Sequence, residues 1–208
     1  MGEVLEAVRS FPVGSAGGPD GFRPGHLLDL VGRSEPTQPL IEALTEFVNV
    51  LLRGECPPEV RPIFFGGNMI ALSKTSGGLR PIALGYVWRR LAAKCANRYA
   101  VARLSSHFAP LQLGIGVPGG CEAAVHATRR FIRGMHNDQV LVKLDFTNAF
   151  NSLRRDVMLE SVFHTIPEIY RFVQQAYSAP SVLAFGQLSL SLLTDGPATG
   201  RPAGSPSV

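Results

Sequence analysis

Apolar positions along the chain recur at helical spacing in some stretches and alternate in others. Residues 1–10 read as the end of a short amphipathic helix. A Gly/Pro-rich loop follows from Phe11 to Gly25, with SAGGPDGFRPG at its centre and Asp20 as a turn residue. Leu40, Leu44, Phe47 and Leu51 keep helical period, so a helix is expected over about 37–53, ended by Gly54 and Pro57-Pro58. NMIALSK and LRPIAL read as short strands joined at Ser76-Gly77-Gly78, which sets Lys74 and Arg80 facing each other near a hairpin tip. A long helix is expected over about 86–106, with Trp88, Leu91, Cys95 and Ala102 on one side and Arg90, Lys94 and Arg98 four apart on another. The loop LGIGVPGG leads into a helix at about 121–134. Val140 to Phe146, VLVKLDF, has the clearest strand pattern. A helix from about Leu153, capped by Asn151 or Ser152, is broken at Pro167 and followed by another over about 168–178. Val182 to Leu190 reads as a weak strand pair around Gly186, and the last fourteen residues have no periodicity and are expected to be disordered.

Composition narrows the class. A chain of 208 residues is one ordinary domain or a piece of a larger one. With 45% hydrophobic and 17% charged residues it has material for a core, which excludes a wholly disordered chain. The net charge of +4 suits a polyanionic partner without identifying one. Cys56, Cys95 and Cys121 are odd in number and lack CxxC spacing, which argues against a disulfide framework or zinc site and for a reducing compartment. Glu3 and Glu6 stand where a signal peptide would be basic and then apolar, and no apolar run approaches the roughly 20 residues that span a bilayer. An intracellular protein, nuclear or cytoplasmic, not secreted and without a membrane partner, is the expectation.

Asp145 is the sharpest position for chemistry. It ends an expected strand, where a carboxylate can project over a sheet edge, and a buried charge is costly unless paired or bound to metal. Lys74 and Arg80, a point charge and a forked donor at a hairpin tip, suit a polyphosphate; the alternative is an exposed basic turn. Arg89, Arg90, Lys94 and Arg98 suit nucleic-acid phosphates, or else form a solvated helix face.

Four segments, taken together, resemble the reverse transcriptase domain of non-LTR retrotransposons. VLVKLDFTNAFNSLRRD looks like motif A of that family, with Asp145 and Phe150 in D-x-x-x-A-F spacing. SAGGPDGFRP resembles the N-terminal fingers motif, MIALSKTSGGLRPIALGYVWRRLAAK the next two, and LQLGIGVPGGCEAAVHATRRFI the stretch preceding motif A. The resemblance covers about residues 10–190 and implies roles. Asp145 would be the catalytic ligand of Mg²⁺, helped by the carbonyl of Phe146. Phe146 and Phe150 would line the dNTP site, with the Phe150 ring under the sugar excluding a 2′-hydroxyl. Lys74 and Arg80 would hold the triphosphate. The implied partners are an RNA template, a DNA primer and dNTP; no stable protein partner is inferred. Gly119, Gly120, Glu122 and His126 match a pattern near the template path, although His126 reads better as a packed or hydrogen-bonded helix residue than as a catalyst.

The family's F/Y-x-D-D motif C is absent, and Asp156 and Asp195 are no substitutes. Motif B, approximately S-x-x-G-x-Q-Q-G-D-P-L-G-P, should follow Leu190, where the chain has LTDGPATGRPAGSP. Back-translated and read from the second base of each codon, the segment from Ala198 permits Gln-Gln-Gly-Asp-Pro-Leu-Gly-Pro in order, with Arg201 and Ser205 taken as CGN and TCN. A reading frame that slips near Leu192 accounts for this; the alternative is a genuine Gly/Pro-rich linker.

The expected fold is α+β: the fingers and partial palm of a right-hand polymerase, incomplete. Residues 1–85 are expected to be fingers-like, 86–190 a partial palm, and 191–208 a disordered, frame-shifted tail. The expected function is a fragment of a retrotransposon RNA-directed DNA polymerase, inactive alone; the alternatives are a nucleic-acid-binding module without chemistry or a non-functional relic.

Overall fold

The structure, a computed structural model, describes residues 1–32, 38–75, 77–146, 149–186 and 188–192, with backbone alone for Phe150, Asn151 and 188–192. The tail from 193 onward, with the disorder and frame slip expected there, lies outside the described residues. The chain is mixed α and β. It divides into two units, one formed by Met1–Ala96 with the chain from Arg154 onward, the other by Asn97–Leu153.

The first unit holds the core. Helix α1 (Gly2–Arg9) buries Val4, Ala7 and Val8 at i, i+3, i+4 spacing, with Glu3 in its first turn and Arg9 in its last, both favourable to the helix dipole. Helix α2 (Pro24–Val31) takes in the last two residues of the expected loop and was not anticipated. Pro24 opens it and Gly32, at φ +70°, ends it, so eight residues between two glycine-containing turns leave little periodicity to read. Helix α3 (Gln38–Leu52) buries Ile41, Leu44, Val48 and Leu51. The expected stripe is thus rotated: Leu40 is half-buried, and Phe47 packs edge-on against Trp88 with ring centroids 5.7 Å apart.

A short helix, α4 (Arg61–Phe64), precedes the hairpin of β1 (Gly67–Ser73) and β2 (Leu79–Gly85). Helix α5 (Val87–Phe108) buries Val87, Leu91, Ala92 and Ala96, all in its first half, and then continues into the second unit. In that unit α6 (Gly120–Arg133) follows, and α7 (Ala149–Ser152) is a single turn.

Back in the first unit, α8 (Arg155–Thr165) starts after Arg154 rather than after Asn151 or Ser152. A 3₁₀ turn at Pro167–Ile169 and α9 (Tyr170–Tyr177) come next, as the Pro167 break implies. Strands β3 (Ser181–Phe185) and β4 (Leu188–Leu192) form the expected antiparallel pair around Gly186. The sheet order is β2-β1-β3-β4, with β3 parallel to β1. That junction is tight: a Cβ on Gly66 would sit 2.0 Å from the Val182 carbonyl oxygen.

One expected element does not form. Residues 140–146 form no strand and are exposed throughout. β propensity describes how a side chain suits a pleated surface; the backbone groups still need a neighbouring strand, and otherwise stay with water. No helix among the described residues is long and apolar enough to cross a membrane.

Candidate functional site

The site residues fall in both units. In the first, the hairpin turn closes through Lys74 N–H donating to the Gly78 carbonyl at 3.0 Å and Gly77 N–H donating to the Lys74 carbonyl at 3.1 Å. Gly77 and Gly78 sit at φ +86° and +87°, values that L side chains resist, which is why two glycines end this hairpin. The register pairs Leu72 with Arg80 and Ser73 with Leu79. Arg80 therefore faces Leu72, and Lys74 lies diagonal to Arg80 on the same face rather than opposite it, at a typical separation of roughly 7–8 Å. Both cations are exposed, and Leu72 and Leu79 beside them are 47% and 65% exposed. A hairpin tip with two exposed cations, neither in an ion pair among the described residues, can meet a polyanion without first breaking such a pair.

The basic row on α5 has work inside the unit. Arg89 Nη1 donates to the Phe65 carbonyl at 2.5 Å, and burial pushes its guanidinium pKa down. Arg90 Nη1 donates to the Ala16 carbonyl at 2.7 Å. Lys94 Nζ donates to the Ser10 hydroxyl at 3.0 Å and lies 4.8 Å from the centre of the buried Phe11 ring. Three of the four cations thus tie α5 to the N-terminal segment and to the end of α4. Arg98, the fourth, is exposed and belongs to the second unit.

The glycine-rich loop is built onto the same helix start. Phe22 N–H donates to Asp20 Oδ1 at 3.1 Å, the turn expected of Asp20. A Cβ on Gly18 would lie 2.8 Å from Tyr86 Cα, so the loop backbone lies directly on the β2–α5 junction. Phe22 stacks on Trp88, centroids 4.9 Å apart and planes 10° apart. An aromatic side chain inside a Gly/Pro loop was the available signal for this contact.

Two residues that sequence reading missed lock the unit. Gln175, 4% exposed, donates from Nε2 to the Leu51 carbonyl and accepts at Oε1 from Cys56 N–H at 3.3 Å. Arg61 Nε donates to the Cys56 carbonyl at 2.7 Å. Neither is marked by spacing; the Gln174-Gln175 pair on an amphipathic helix reads as solvent-facing.

The second unit carries Asp145 and Phe146, both exposed, Phe146 at 74%. Phe150 lies in α7, and its side chain is outside the described residues. Among the described residues no three His, Cys, Asp or Glu side chains come together. Helix α6 presents His126 and Glu122 to solvent as a loose 3.8 Å pair, with Arg129, Arg130 and Arg133 in its second half. The unit holds six Lys and Arg residues (Arg98, Arg103, Arg129, Arg130, Arg133, Lys143) against Glu122, Asp138 and Asp145, and so most of the chain's +4 charge.

Comparison with known proteins gives one relative to report. Over 96 residues, 46% of this chain, the sequence is 30% identical to the retrotransposable element SLACS 132 kDa protein of Trypanosoma brucei gambiense. The matched part is 8% of that protein, so the chain spans a small fraction of its relative. The similarity is to a retrotransposon protein. No family model matches the chain.

Proposed function

We propose that the chain is a retrotransposon-derived fragment of an RNA-directed DNA polymerase, able to engage nucleic acid and nucleotide but not to polymerise alone. The observation that carries the reading is the D-x-x-x-A-F motif from Asp145 to Phe150, standing in order behind three further segments of the same resemblance. The retrotransposon relative supports the coarser part of it. The resemblance would have Lys74 and Arg80 of the first unit neutralise phosphates and, in the second unit, Asp145 and the Phe146 carbonyl offer oxygens to a divalent cation and Phe150 select the deoxy sugar. The cationic second unit and Arg98 lie along phosphates.

The described residues do not fit a two-ion site. Two ions that clamp the attacking and leaving oxygens need hard oxygen ligands from more than one carboxylate, and Asp145 has no acidic companion cluster among the described residues. No catalytic step is therefore assigned to the fragment. Arg89, half-buried against the Phe65 carbonyl, serves to position the end of α4, whereas Arg90 and Lys94 keep N–H donors beyond those given to Ala16 and Ser10 and can still meet phosphates.

Fluorescence anisotropy with a labelled RNA–DNA hybrid tests the binding half. Affinity should fall linearly in log–log form with salt, and no binding at low salt overturns it. Primer extension tests the other half. The chain should give no product above a blank with Mg²⁺ or Mn²⁺; robust extension abolished by Asp145→Ala overturns its incompleteness.

A further inference from the structure

The segment 140–146 is an exposed, largely apolar stretch of the second unit, and apart from Asp145 and Phe146 its residues are used by nothing above. By alternation, Val140, Val142, Leu144 and Phe146 share one face, and they are 78%, 70%, 76% and 74% exposed. Leu141, Lys143 and Asp145 share the other. Among the described residues, none of the seven makes a backbone–backbone hydrogen bond. A β-prone segment with free N–H and C=O groups and no proline is a template for another strand.

Its charges indicate which strand. We propose that a second copy of this chain pairs with it, antiparallel and centred on Leu144. In that register Leu144 meets Leu144, Val142 meets Phe146, and Lys143 meets Asp145 twice, once on each side of the twofold. Both charges in the segment are satisfied, and the face formed by Val142, Leu144 and Phe146 of the two copies is apolar. Parallel in-register pairing would instead set Lys143 on Lys143 and Asp145 on Asp145, which is unfavourable. A one-residue slip would turn the apolar face to the opposite side. A polyanion or an acidic peptide would answer Lys143 but repel Asp145, so self-pairing is the arrangement this charge order favours. The inference does not rest on the polymerase reading, and it sets Asp145 and Phe146 against a second copy where that reading assigns them to a cation and a nucleotide, so the two uses compete for the same residues.

Sedimentation equilibrium of the full chain in reducing buffer tests it. Wild type should self-associate. Lys143→Asp should weaken association about tenfold, because each attractive pair becomes a repulsive one. The swap Lys143→Asp with Asp145→Lys should restore it. In a Cys121→Ser background, Leu144→Cys should form an intermolecular disulfide on mild oxidation, whereas Val142→Cys should link far more slowly, since its copy lies four residues away. A chain that stays monomeric, association indifferent to Lys143→Asp, failure of the swap to restore it, or equal cross-linking at 142 and 144 overturns the proposal. Unchanged circular dichroism of each variant shows that folding is not what moved.

Discussion

The two units use similar residues to opposite ends. Every buried apolar side chain among the described residues belongs to the unit containing α1, α2, α3 and the first half of α5. In Asn97–Leu153 the only residue described as buried is Gly120, although Val125, Ile132, Val140, Val142, Leu144 and Phe146 are as apolar as anything in the core. Helix α6 is amphipathic and 140–146 alternates, yet neither face is covered. Apolar content permits burial; only a complementary surface produces it. The chemistry divides along the same line. The triphosphate candidates stand on a sheet anchored to a core, and the carboxylate candidate stands on a segment anchored to nothing described.

The sharpest way to break this contrast is a matched pair of truncations. Leu91→Ala in the core should cost about 2–5 kcal/mol, whereas Val142→Ala should stay within about 0.5 kcal/mol. Chemical denaturation of each variant reads both, and a costly Val142→Ala would mean that the second unit has a core after all. Next in size is Gln175→Leu. It leaves the Leu51 carbonyl and the Cys56 N–H without their partner and should cost about 1–3 kcal/mol. Arg89→Met should cost less, about 1–2 kcal/mol, because the stem can still pack while the Phe65 carbonyl goes unmet. Thermal melts rank the two.

The smallest effect concerns the surface where the units adjoin in sequence. The Arg154 hydrogen bond, helped by the Val157 backbone, holds the Asp156 carboxyl below the usual aspartate range. A depressed folded pKa gives support that is present above the unfolded value and is lost as pH falls through the folded one. The pair is solvent-exposed, so the change in stability should be barely measurable. Carboxyl NMR should nevertheless show Asp156 titrating low, and Arg154→Ala should move it up toward the ordinary range, the Val157 backbone contribution remaining.

Much of the first unit was legible. The α3 and α5 helices, the hairpin with its Ser-Gly-Gly turn and the β3–β4 pair follow from periodicity and turn residues, because their signals are local. The rotation of the α3 stripe was not legible, since Ile41 and Val48 compete equally with Leu40 and Phe47 until a neighbour chooses between them. Lys74 and Arg80 were found as residues, but their diagonal relation depended on a register that one extra turn residue changes. Gln175 and Arg61 gave no signal, because their partners lie far away in the chain or on its carbonyls.

Taken by itself, the amino-acid order determined which stretches could become helix, strand or turn, where cations and the Asp145 carboxylate stand, and a likeness to a retrotransposon protein. Tertiary structure alone decided which apolar faces are covered, which cations are engaged by carbonyls, and that VLVKLDF stays unpaired. The reason is physical: torsional preference and side-chain spacing belong to a few neighbouring residues, whereas burial and strand pairing exist only between surfaces that distant segments bring together.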